Sequence, residues 1–268
     1  MSRDPRDKRK LVNSPLIVVL TEIRFAPILA MANLIPEIQE SLRRRGFPGF
    51  ATSVIQQFQL SLTGQEPTFQ TASRWVFTST NRAHTITLTT EGVSFQTTAY
   101  DDFEGFLEYV RGAVDVVASI AEPSFADRVG LRYVDAIPNV GEQMPRYFNE
   151  TVLTFSATDL DVQSLLLNQH IVATTENGHL QIRLSQVENA PLLPPDLNSP
   201  ELAAVGSARQ GVHAILDIDS ADERRTDFNW ATLEARLWGV HKHAGTAFWK
   251  SVTPDALSAW GEQTGASQ

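Results

Sequence analysis

Residues 84–121 read HTITLTTEGVSFQTTAYDDFEGFLEYVRGAVDVVASIA, and the change of rhythm inside them decides the fold class. From His84 to Thr89 apolar residues alternate through Ile86 and Leu88. After the Glu91–Gly92 turn a second alternating run begins at Val93 and reaches Ala99. Period-two patterning with threonines between predicts antiparallel strands with one buried and one wet face. From Asp101 the apolar positions (Phe103, Phe106, Leu107, Val110, Val114, Val117, Ile120) fall at three- and four-residue steps, which predicts an amphipathic helix. Asp101 or Asp102 suits its N-cap, and Pro123 stops it.

Outward from this stretch the two rhythms recur. Thr52–Thr63 and Arg74–Thr80 alternate like strands. Upstream, Pro15–Phe25 is a strand rich in Ile, Val and Leu. Leu29–Arg45 has helical spacing through Leu29, Ala32, Leu34, Ile38 and Leu42, with Gly46 closing it and Pro36 marking a candidate start. Downstream come strands at Ala126–Ile137, His179–Val187 (after an Asn177–Gly178 turn) and Gly211–Asp219. The Pro/Asn-rich run 189–200 reads as a loop. A helix over Asp227–Lys250 is expected to start at Asp227, and a last short one to start at the Thr253 cap with Pro254 at its first position.

The order strand, helix, strands, long helix thus occurs twice. Ile23-Arg24-Phe25 rhymes with Leu131-Arg132-Tyr133, and Asp102-Phe103 with Asp227-Phe228. The sequence therefore predicts an α+β chain of two pseudo-repeated halves, each a mainly antiparallel sheet under its own long helix. The divisions are a basic arm at 1–13, a first half at 14–123 and a second at 124–268, packed as one unit. In each half one arginine, Arg24 or Arg132, projects from an apolar strand. Each must meet a carboxylate or carbonyls if buried, or the two together make an anion site.

Several strings also resemble a sporadically distributed bacterial family of uncharacterised proteins of about this length. They are Glu22-Ile23-Arg24-Phe25, Trp75-x-Phe77-x-Ser79, Tyr100-x-x-Phe103 and Arg128-Val129-Gly130-Leu131-Arg132-Tyr133-Val134. Leu216-Asp217-Ile218-Asp219 and Trp260-Gly261 complete the set. The resemblance runs from Ser14 to Glu262, with Asp135 where that family usually has Asn. It carries over no activity and no catalytic residues. Its patchy distribution implies an accessory role, with mobile or defence systems as a context.

Composition narrows the chemistry. There are no cysteines, so disulfides, thiolate metal sites and cysteine nucleophiles are excluded. That fits a cytoplasmic protein, and no apolar run approaches the roughly 20 residues of a membrane span. The net charge of −9 argues against general nucleic-acid binding. The first 50 residues nevertheless carry nine Lys/Arg against five acids, so the arm suits an acidic partner or a second copy.

No phosphate loop, dinucleotide turn, nucleophile elbow or zinc helix is present. No cofactor is implied. Arg24, Arg132, Tyr133 and Trp75 are the candidate binding residues of a non-catalytic binding or assembly protein, acting as an oligomer or accessory subunit. The alternative is a divalent metal held by Asp217 and Asp219, with His213 two steps further along the same strand face, in an enzyme acting on nucleotides or nucleic acid.

Overall fold

The computed structural model describes residues 9–59, 68–153, 166–197 and 199–263. In chain order the first half holds β1 (Lys10–Leu11), β2 (Leu16–Phe25), α1 (Met31–Arg44), β3 (Gly49–Gln59), β4 (Thr68–Thr78), β5 (His84–Leu88), β6 (Gly92–Thr97) and α2 (Phe103–Ile120). The second holds β7 (Phe125–Ile137), α3 (Met144–Tyr147), β8 (Leu167–Thr174), β9 (Gly178–Glu188), α4 (Ala203–Gly206), β10 (Val212–Asp222), β11 (Thr226–Asp227), α5 (Trp230–Ser251), α6 (Pro254–Ala259) and β12 (Glu262–Gln263).

The chain is α+β, but the two expected sheets are one. Nine strands follow the order β3-β4-β5-β6-β2-β7-β10-β9-β8, all antiparallel, with β11 added to β7. The halves meet where β2 pairs β7, with Val19 opposite Tyr133 and Thr21 opposite Leu131. Both strands are largely buried on both faces there, as central strands are. The Thr21 hydroxyl donates to the Gly130 carbonyl at 2.7 Å across this seam.

One face of the sheet carries the long helices. Helix α2 lies on β6, α5 on β7 and β10, and α1 packs against α2 and β4. Phe103, Phe106, Val110 and Val117 of α2 and Leu233, Leu237 and Val240 of α5 share one core with Val19, Ile23 and Leu131. Burying each such side chain contributes about 1.5–3 kcal/mol. Phe228 meets Phe25 edge to face at 5.8 Å, so aromatic packing also crosses the seam.

Local chemistry sets the helix ends. Asp102 caps α2 by accepting from Gly105 N at 2.8 Å, and Thr253 caps α6 by accepting from Ala256 N. Three expectations are corrected. Asn229, not Asp227, caps α5, accepting from Thr232 N, because Asp227 is drawn into β11 beside Phe125. Helix α1 starts at Met31 and runs through Pro36. Its buried stripe is Met31, Ile35, Ile38 and Leu42, while Leu29 is 90% exposed ahead of it. The strand read as Thr52–Thr63 is Gly49–Gln59, and its expected end lies outside the described residues.

The other face is covered differently. The segment between β9 and β10, with short 3-10 turns at Pro195–Leu197 and Pro200–Leu202, sets Leu193 and Leu202 on Val18, Val134 and Ile215. Glu201 ties it to Arg74 at 3.3 Å. Among the described residues, no helix is long and apolar enough to cross a membrane.

Candidate functional site

Strand β7 presents two sets of side chains, because neighbours on a strand point to opposite faces. Arg128, Arg132 and Val134 face the 189–206 segment. Val129, Leu131, Tyr133, Asp135 and Ile137 face the helices. In that inward row Asp135 is the one charged residue.

Asp135 is 3% exposed and sits at the floor of a cavity of about 720 Å³, a size usual for small-molecule sites. Elements of both halves enclose it. Residues 9–16 form one side, residues 100–104 at the start of α2 a second, and the α5 stretch from Trp238 to Lys250 a third. The short β1–β12 pair and the bond from Asn13 N to Trp260 O at 2.9 Å hold the first side in place. Among the described residues no donor reaches the Asp135 carboxyl. Burial, with the negative charge of Asp217 behind the sheet, pushes it up to about 8.

The walls are aromatic and hydrogen-bonded. The Tyr133 hydroxyl and His241 Nδ1 are 2.8 Å apart. His241 stacks on Phe103 at 3.8 Å, and Trp238 meets Phe103 edge-on at 4.7 Å. Burial pulls His241 down to about 4, so the ring is neutral at ordinary pH. Burial raises the Tyr100 hydroxyl against the pull of its hydrogen bond with Tyr133. At the mouth, Arg9 lies over Trp249 at 3.9 Å and pairs with Glu262, while its buried Nε lacks an acceptor. Lys10 bonds Asp101 at 3.0 Å.

Of the residues singled out from sequence, Tyr133 lines this cavity and the others do not. Trp75 is buried in the core, 6% exposed, and offers no face to a ligand. Arg24 is surface-exposed and pairs with Glu22 at 2.9 Å, which also takes Arg128. Arg132 lies on the same sheet face but is buried. Its Nε and Nη2 grip Asp217 at 2.7 and 2.8 Å, and its Nη1 bonds Asp196. Arg24 and Arg132 therefore answer separate carboxylates and form no shared anion site.

The metal grouping is also taken apart. Asp217 is enclosed by Arg132 and by Arg183 at 3.1 Å. Asp219 looks toward Arg128 at 3.9 Å. His213 bridges the Asn139 amide and the Arg209 carbonyl. Two guanidinium groups already neutralise the carboxylate a cation would need. Among the described residues no three His, Asp or Glu side chains cluster as metal ligands.

No protein-family profile matches the chain, and no curated protein matches it. Asp135 and His241 escaped the sequence reading as site residues, although both carried a signal. An Asp occupies the inward, period-two row of an apolar strand. A His lies four residues after Leu237 on the buried stripe of α5, where a polar ring needs a partner.

Proposed function

We propose that the chain is a binding protein that captures a small organic molecule in the cavity at the seam of its two halves. The observation that carries this is Asp135, a buried carboxyl opening on a roomy aromatic-walled cavity with no donor to it among the described residues. Native proteins pair their buried polar groups, and an apolar residue on that row would cost nothing. The Asp is costly for the fold alone and useful once a ligand supplies the donor.

Gly245 gives a clean test. It lines the cavity, and a Cβ there meets nothing within 4 Å. Gly245→Phe fills the space from a helix that accepts the change. Protein denatured after purification is expected to release a low-mass compound from the wild type and none from Gly245→Phe, by mass spectrometry. Equal content in the two proteins removes the reading.

A second reading, assembly with a protein partner or another copy, is supported by the outer edge of the sheet. Among the described residues no strand pairs the outer side of β8, which bears Ile171 and Val172, 37% and 61% exposed, after Leu166 at 71%. Unpaired edges with apolar side chains invite pairing. Val172→Lys is expected to lower the mass in solution. A monomeric wild type sinks this reading without touching the cavity. Descent of the halves from one duplicated unit is also proposed. Its support is that β2 lies beside β6 and β7 beside β10, each first strand next to the last long strand of its half.

A further inference from the structure

We propose that the ligand is an organic cation, an aromatic or heteroaromatic compound whose protonated amine or amidine sits on Asp135 and whose ring lies among Trp238, Phe103 and Phe248. This deepens the binding reading above and rests on it.

Three observations lead there. Once ionised, the Asp135 carboxylate only accepts hydrogen bonds, so a ligand that holds it in that form must bring N–H or O–H donors, and a cationic N–H adds charge to the bond. Asp217 behind the sheet disfavours a second negative charge at Asp135, and two of the four cations that line the cavity are already paired. Lys10 is held by Asp101 and Asp102, and Arg9 is held by Glu262 and Trp249. Lys242 and Lys250 line the α5 side without an ion pair to Asp135, and Glu104 adds a further acid at the mouth. His241 is neutral and bonded to Tyr133. Finally, Trp238, Phe103 and Phe248 line the cavity, and aromatic rings attract a desolvated cation through the ring quadrupole. An anion would be repelled at the floor, and a neutral alcohol would gain one hydrogen bond without charge.

A proton must leave when such a ligand binds near neutrality. Asp135 enters protonated and ends ionised against the ammonium, and the released proton goes to buffer. Nothing else is transferred.

Phenethylamine, 2-phenylethanol and phenylacetate share one ring and differ in charge. Titration of each, by calorimetry and tryptophan fluorescence, tests the assignment. The amine is expected to bind at least tenfold more tightly than the alcohol, with phenylacetate weakest. At pH 7 amine binding should release close to one proton, read from buffers of different ionisation enthalpy, and close to none at pH 9. Asp135→Asn, nearly isosteric, should erase the tenfold preference and the proton release. Should that variant fold poorly, Gly245→Phe must block the amine instead. Equal affinity for amine and alcohol, or a preference surviving in Asp135→Asn, overturns the ligand class and leaves the cavity reading standing. If none of the three binds, the ligand class falls. If denaturation also releases nothing, the binding reading falls with it.

Discussion

Asp135 and Asp217 lie on adjacent strands, and both are almost wholly buried, 3% and 2% exposed. Asp217 faces the 189–206 segment and is gripped by two arginines. Asp135 faces the helices and is gripped by none. The same residue type at the same depth thus does two jobs. A carboxylate closed off by guanidinium groups has no capacity left for a ligand or a metal, and it fixes the strands and the covering segment in register. A carboxyl left open at the end of a cavity adds nothing to the apo fold and keeps its capacity for something else. Bonding partners, more than charge or conspicuous sequence, separate the structural acid from the acid proposed for recognition.

The largest test of this contrast removes the arginine. Arg132→Ala leaves Asp217 buried beside Arg183 alone and frees Asp196, and is expected to cost about 3–5 kcal/mol in urea unfolding. Asp217→Asn in that background should recover part of the loss. Equal stability of Arg132→Ala and wild type would break the claim that this side is structural.

Asp135 should behave in the opposite sense. Its folded value, about 8, lies above its unfolded one. The native state therefore holds the extra proton, and stability falls as pH rises between the two values. The slope from this group alone is about 1.4 kcal/mol per pH unit and flattens above about pH 8. Asp135→Asn should remove that slope and be the more stable protein at pH 8, by chemical denaturation from pH 6 to 9. Parallel curves for the two proteins would show that the carboxyl has a partner after all.

Smaller effects sharpen the picture. Arg183→Ala removes one of two partners from Asp217 and is expected to cost about 1–2 kcal/mol. Asp196→Asn touches a carboxylate whose side chain is 63% exposed. Its hydrogen bond to Arg132 holds it below the usual range, so whatever it contributes is lost as pH falls through that lowered value. At neutral pH the substitution should cost less than about 1 kcal/mol, and less again in high salt.

Much of the fold was legible because rhythm is local. The switch from period two to helical spacing at Asp101 located β5, β6, α2 and the Asp102 cap from residues in direct sequence contact. What stayed hidden was long-range. Neither β2 nor β7 reveals alone that it will pair with the other, so two sheets were expected where there is one. The site divides along the same line. Tyr133 drew attention through its motif, but whether Asp135 or Asp217 finds an arginine depends on other strands, which for Asp217 lie 34 and 85 residues away. Arg24 and Arg132 rhyme in sequence and diverge in fate because only one lies beneath the Asp196 segment.

The seam of β2 and β7 has a last mechanical consequence. Main-chain pairing, with a register shift near each end of the seam, links one outer strand to the other, so the halves cannot swing apart like jaws. Of the three sides of the cavity, the strip of residues 9–13 is held by the fewest main-chain bonds, those to Gly261 and Trp260 and the β1–β12 pair. If the proposed binding holds, a guest's rate of exit would be set by how often that strip comes undone.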